Sequence, residues 1–557
     1  MLATSGPALT AESNPVSPAR CETSAGVRYI VQAKTSSLAR ERVSRAGGDV
    51  CRDLNVINGV TAILTDEQSK ALQAEPGVRV SADRAVSTKG GAGSSLPLVF
   101  TDGTAVQLQP KWESSYSMLV GADVLQQAKL TGKDVTIAVL DSGFWADAKD
   151  GVKGRIVASI DTLTGSDKVD TDAFGHGTHV TSIAAGSFGV APEAKLVIVR
   201  AFDKNGGGSY SNVIAGLDWV IANRVKYKIR VLNLSFGAQP QSNYWDDPLN
   251  QAVMRAWQAG IVVVAAAGNE GPAPMTIGVP GNVPYVITVG AQTDNYTPYN
   301  SMDDRLASFS STGPTLEGFV KPEVLAPGGH MVGSMSYQSY LATIDPNSMK
   351  KGDALFTMSG TSQAAAVTSG IVALMIQADP TLTPDTVKCR LMASASPAVT
   401  LTRQLAYSVF QQGAGMVNAM SAVSNGTTGC ANQGLDIAAD LSGAAHFGGP
   451  ANQDAQGNYY VMDMNGASWG NALSGDGYSW SKGFQWTQGF SWTNGYSWSK
   501  GYSWSKGYSW SKGYSWSKGY SWSKGYSWSK TLPWWETPGT ATTTAKPASI
   551  TSWVPNQ

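Results

Sequence analysis

"VTIAVLDSG", residues 135–143, is the stretch from which the fold of this chain is read. A half-buried strand alternates apolar and polar residues, and this run does not, so it suits a strand covered on both faces, as in parallel sheets sandwiched between helices. The same texture returns in "LVIVR" (196–200), "VLNLS" (231–235), "IVVVAAA" (261–267) and "YVITVG" (285–290). Between these runs "YSNVIAGLDWVIANRV" (210–225) and "PLNQAVMRAWQAG" (248–260) have helical spacing, the second closed by Gly260 as a C-cap. Residues 111–425 therefore read as an α/β domain with a doubly wound, mostly parallel sheet.

Ligands of open parallel sheets gather beyond the carboxyl ends of the strands. That rim collects Asp141 in "DSG", Ser235 in "SFG" and Asn269 in "GNEG". Two more segments join it. "GHGTHV" sets His176 and His179 at the start of a helical "HVTSIAAG", and "SGTSQAAAVTSGIVALMIQ" sets Ser362 at the entry of a long apolar helix. An Asp, a His and a Ser, each flanked by glycines, are the parts of a nucleophile, its base and the base's orienter. Alone, each has a plainer reading. An Asp after a strand is usually a turn residue, Ser359 is a rival nucleophile, His179 reads as structural, and His330 and His446 read as ordinary surface or loop residues.

Taken in order, "IAVLDSG", "GHGTHV", "LNLSFG", "AAAGNEG", "KPEVLAPG" and "GTSQAAA" resemble the subtilisin-like serine proteases across 111–425. The resemblance implies a subtilisin-like fold and a serine endopeptidase acting through an acyl-enzyme. Ser362 would be the nucleophile, His176 the base and Asp141 its orienter. The amide of Asn269 and the backbone N–H of Ser362 would bind the oxyanion. Gly206, Gly207 and Gly208, with Ser235, Phe236 and Gly237, would offer backbone to an extended peptide. Ala266, Ala267 and Gly268 would wall the first specificity pocket, with Glu270 near it, leaving room for a large apolar side chain before the scissile bond.

Two departures from the family pattern carry expectations. Gln363 stands where many relatives have Met, which predicts tolerance of peroxide. Ala366 stands where most have Pro, and the Ala-rich run that follows is a good helix former. "IAAGSFGVAPEAK" (183–195) lacks the loop that wraps calcium in many relatives, so that site is expected to be absent. No cofactor is required, and calcium is left open at other carboxylate-bearing loops such as "DTLTGSDKVDTD" (161–172).

Residues 27–86 read as strand, helix, strand, helix, strand, a small α+β module. It resembles the family's inhibitory prodomain, which would template folding, fill the cleft and be cut off in the linker or processing region 87–110, where "KGGAGSS" has linker composition. An independent binding module is the plainer alternative. Residues 1–26 read as disordered and carry neither the basic nor the apolar region of a secretory signal. Cys21, Cys51, Cys389 and Cys430 form no zinc pattern. Their positions suggest Cys21 with Cys51 and Cys389 with Cys430, against free buried thiols.

Beyond the domain lie a Gly/Ala/Asn-rich connector (426–476), nine GYSWSK-type hexads (477–530) and a Thr/Pro-rich tail (531–557). An even repeat puts every Tyr and Trp of an extended strand on one face, and six also suits a β-solenoid, so a β-strand or β-solenoid array is expected. Aromatics stacking on one another, or a carbohydrate or cell-surface contact through 477–530, are the readings of that face. Nucleic acid is not expected, given a formal net charge of zero, and no apolar run reaches the length of a membrane span. The resemblance and the prodomain imply a secreted or cell-surface protein whose partners are protein or peptide substrates and its own prodomain. A surface or adhesion protein with an inert protease-like domain and ligand-binding repeats is the competing function.

Overall fold

A computed structural model describes Cys21, residues 26–88, residues 116–453 apart from 298, 300–302, 351 and 401–404, residues 458–462, and backbone pieces at 98–99, 105–106, 468–469 and 484–486. The expectations for nearly all of 1–26, for most of 87–110, for the tail and for nearly all of the hexads lie outside the described residues.

The N-terminal module runs β1 (Val27–Gln32), α1 (Ser36–Arg45), β2 (Asp49–Leu54), β3 (Gly59–Leu64), α2 (Asp66–Gln73), β4 (Arg79–Ala82) and β5 (Ala85–Ser87). The first four strands form an antiparallel sheet in the order β2-β3-β1-β4. β2 corrects the sequence reading: "DVCRDL" carries three charges and has no apolar run, so it does not look like a strand. Alternation along β1 gives the module two faces. Val31 joins Val43, Val60 and Leu72 in the module's own core, whereas Ile30, with Leu54 and Ile57, belongs to the large apolar cluster of the following domain.

That domain is built on an eight-stranded sheet. Its strands are β6 (Thr136–Asp141), β7 (Ile156–Asp161), β8 (Lys195–Arg200), β10 (Ile229–Leu234), β11 (Val262–Ala266), β12 (Ile287–Thr293), β13 (Arg305–Leu306) and β14 (Val324–Pro327). The short β9 (Gly207–Ser209) lies apart from it, paired with β5. The order is β7-β8-β6-β10-β11-β12-β13, with β14 also on β12, and only the β12/β13 pair is antiparallel. Every residue of β6 is buried, as its unbroken apolar run requires. The chain starts at this central strand, passes to the edge strand β7, returns through β8 beside β6, then crosses to the other side through β10, so its direction reverses beside β6.

Helices cover both faces: α3 (His176–Ala185), α4 (Tyr210–Asn223), α5 (Pro248–Gln258) and α6 (Thr361–Ala378). Asp247 caps α5, accepting from Leu249 and Asn250 N–H at 2.9 and 3.1 Å, and Gly260 turns the chain out of it at φ 87°. α6 is apolar and long enough by composition to cross a bilayer, but most of it is buried inside this domain, which makes it a core helix. Disulfides join Cys21 to Cys51 and Cys389 to Cys430, one in the module and one beyond the sheet.

Candidate active site

Each side chain at the rim is presented by the end of an element. Asp141 ends β6, and Ser142 N–H donates back to its Oδ1 at 2.7 Å. His176 is the first residue of α3, entered through Gly175 at φ 104°, a conformation that favours glycine. Gly177 is needed for a different reason: a Cβ there would sit 2.3 Å from the Gly143 carbonyl, so only glycine lets the helix start this close to the end of β6. His176 Nδ1 consequently lies 2.8 and 3.0 Å from the two carboxylate oxygens of Asp141, with both side chains 1% exposed.

Asp172, which the sequence reading passed over, holds this arrangement. Its buried carboxylate accepts from Gly175 N–H (2.8 Å), Thr178 N–H and Oγ1–H (both 2.7 Å) and Ser142 Oγ–H (2.9 Å). Ser142 Oγ in turn accepts from Gly177 N–H at 2.9 Å. One anion thus satisfies the free amides at the start of α3 and locks the turn after Asp141. An Asp just ahead of a helix start was the available signal. Elsewhere in the 161–172 loop, Asp161 pairs with Arg200 and Asp170 with Lys168, so these carboxylates serve local partners. Among the described residues no group of three or more His, Cys, Asp and Glu gathers as a metal site would.

Ser362 occupies the first turn of α6, where backbone N–H groups lack intrahelical acceptors. Its hydroxyl donates to the Ser235 carbonyl at 3.2 Å rather than to His176. A buried relay fixes its backbone. Ser369 Oγ–H donates to Asn233 Oδ1 (2.9 Å), Asn233 Nδ2–H to Ser235 Oγ (2.8 Å), and Ser235 Oγ–H to the Ser362 carbonyl (3.0 Å). Asn269 follows β11, and its Oδ1 accepts from Thr361 N–H and Oγ1–H, both at 2.9 Å, which orients the amide. Ser359, the rival serine, is engaged elsewhere, accepting from His330 N–H at 2.7 Å.

Ala266, Ala267 and Gly268 close the end of β11, Gly268 at φ 108° with a Cβ excluded by Ser311. Gly206, Gly207 and Gly208, and Gly237 after Ser235 and Phe236, are already paired with backbone of residues 85–88. His179 is fully buried, its Nε2 3.0 Å from the Phe356 carbonyl, and burial lowers its pKa to about 4, so it is neutral. Its Nδ1 lies 3.4 Å from Gln363 Nε2, which gives the buried Gln363 a polar neighbour that the sequence did not reveal. His446 departs from expectation: it stacks on Trp245, bonds Asp440 at 2.8 Å, and sits in a strand, His446–Gly448.

The Subtilase family pattern matches residues 132–417, which contain all of this rim. The chain belongs to the subtilase family. This subtilase is 43% identical over 272 residues to the serine protease AprX of Bacillus subtilis, a match covering 46% of the chain and 60% of that relative. It is 32% identical over 380 residues to subtilisin E of Bacillus subtilis, covering 67% of the chain and 84% of that protein. Fervidolysin from Fervidobacterium pennivorans, a keratinolytic enzyme related to subtilisin, has a similar fold at a TM-score of 0.55 and 20% identity, over 83% of this subtilase and 72% of that chain. Membership brings the serine-protease class with it. The eight-stranded sheet and its helices are therefore a subtilisin-like fold.

Proposed function

We propose that this subtilase is a serine endopeptidase that hydrolyses peptide bonds through an acyl-enzyme and is made as a self-processing precursor. The observation that carries the reading is the buried His176–Asp141 pair on the same rim as Ser362. A Ser hydroxyl is scarcely ionised at neutral pH, so attack needs a base. His176, held by Asp141 at Nδ1, takes the Ser362 proton at Nε2 and delivers it to the leaving amine. Rotation of Ser362 Oγ from the Ser235 carbonyl toward the imidazole precedes the step, since catalytic bonds are often slack before substrate binds. The anchored Asn269 amide and the Ser362 backbone N–H receive the charge on the carbonyl oxygen.

Gly206–Gly208 and Ser235–Gly237 grip the substrate main chain, and the small Ala266–Gly268 wall favours a large apolar side chain before the cut bond. The N-terminal module acts as the intramolecular inhibitor. Secretion or surface display is supported by two disulfides and by the extracellular serine proteinase of a Thermus strain among the relatives. The test compares the precursor with Ser362→Ala on a gel under folding conditions. Wild type should split and the variant should stay whole. If both stay whole, self-processing is wrong.

A further inference from the structure

The segment leaving the N-terminal module is threaded through the cleft as a middle strand. On one edge β5 pairs antiparallel with β9, Ser87 opposite Gly207 and Val86 opposite Gly208. On the other, Ser87 N–H donates to the Gly237 carbonyl at 3.2 Å and Gly237 N–H to the Ser87 carbonyl at 3.0 Å. Thr88 N–H continues the ladder to the Gly206 carbonyl at 3.1 Å. Main-chain bonds grip such a strand while alternate side chains fill pockets. Val86 and Thr88 are 3% and 2% exposed, and Val86 belongs to the catalytic domain's apolar cluster.

The register tells which bond meets the nucleophile. In an antiparallel pair, two positions forward on one strand meet two positions back on the other. Ser87 faces Gly237, and carrying that register two steps on by sequence alone would reach Ser235, whose carbonyl is the acceptor of Ser362 Oγ–H. We propose that self-processing cuts the Lys89–Gly90 bond, with Val86 and Thr88 as the side chains the cleft reads. The inference rests on the peptidase reading above. Ser362 Oγ bonds to the Lys89 carbonyl carbon, the Lys89–Gly90 C–N bond breaks, and the Ser362 proton passes through His176 to the Gly90 amine. Water then releases the Lys89 carboxylate and restores the hydroxyl. Lysine agrees with a small apolar wall, because its methylene stem lies on apolar surface while the ammonium stays in water.

The test uses the full chain, with Ser362→Ala in parallel, sampled when fragments first appear. Intact mass and N-terminal sequencing should show a short fragment ending at Lys89 and a long one starting at Gly90, and neither in the variant. A first cut elsewhere that Ser362→Ala abolishes overturns the register assignment and leaves the peptidase reading standing. Cutting in Ser362→Ala at the wild-type rate overturns the peptidase reading itself. Independently of precursor folding, the mature enzyme should cut a peptide spanning residues 83–94 at the same bond. Val86→Asp in that peptide should slow cutting about tenfold or more, the scale on which an apolar pocket discriminates. Cutting at another bond, or no slowing, counts against the proposal.

Discussion

Asn269 and Asp172 carry single-residue consequences of different kinds. On the proposed mechanism Asn269→Ala would remove a donor aimed at charge that exists only in the transition state, so kcat should fall about 10²- to 10³-fold with KM little changed, as steady-state kinetics on a peptide ester would show. Asp172→Ala acts on the scaffold. It leaves the Gly175 and Thr178 amides and the Ser142 hydroxyl short of an acceptor in a buried place. At about 1–3 kcal/mol for each unmet buried group, stability should drop by at least about 3 kcal/mol in chemical denaturation, measured in a Ser362→Ala background to prevent self-digestion. The difference in legibility between the two is physical. Asn269 stands in a glycine-flanked motif after an obvious strand. Asp172 works through four hydrogen bonds, and its partners are short polar residues and backbone, which leave no pattern in the chain. Gln363 is similar, since its buried neighbour His179 comes from a different helix.

Elements with an unbroken apolar run were readable because burial on both faces leaves no other composition: β6, β8, β10, β11 and β12 all stand where such runs do. Edge strands were not, because one side is wet or charged. β7 is half-exposed along its first part, and β2 faces α4 with a buried Arg52, whose guanidinium donates to the Thr162 carbonyl at 2.7 Å and to Asn212 Oδ1 at 3.2 Å. Nearby, Asp218 on α4 accepts from Asn55 N–H of the module at 2.9 Å, and burial beneath the module raises its pKa to about 6, with Asp53 adding like-charge repulsion. A carboxyl raised on association favours the bound state when protonated. Its help is complete below the free-acid range and is lost as pH rises through about 6. Binding of the module to the Ser362→Ala enzyme should therefore be about tenfold tighter at pH 5 than at pH 7 from this group, and Asp218→Asn should flatten that part of the profile in titration calorimetry.

At the scale of the whole molecule, the rim, the cleft and the N-terminal module all precede the hexads. The described backbone of the array is the second hexad's Phe484–Trp486, an extended piece paired antiparallel with His446–Gly448. Deleting 477–530 should leave turnover of a short peptide within about twofold of the full chain, because a distant pairing adds little to a preformed site. A loss of folding on deletion, seen by circular dichroism, would instead make the array structural.

The seam between module and enzyme has one more consequence. Much of it is made of Arg52, Asp83, Arg84, Asp218, Asp247 and the Gln32–Gln251 pair. If the two parts separate, these polar groups are rehydrated, while Ile30, Leu54, Ile57 and Val86, which join the domain's apolar cluster, lose that cover.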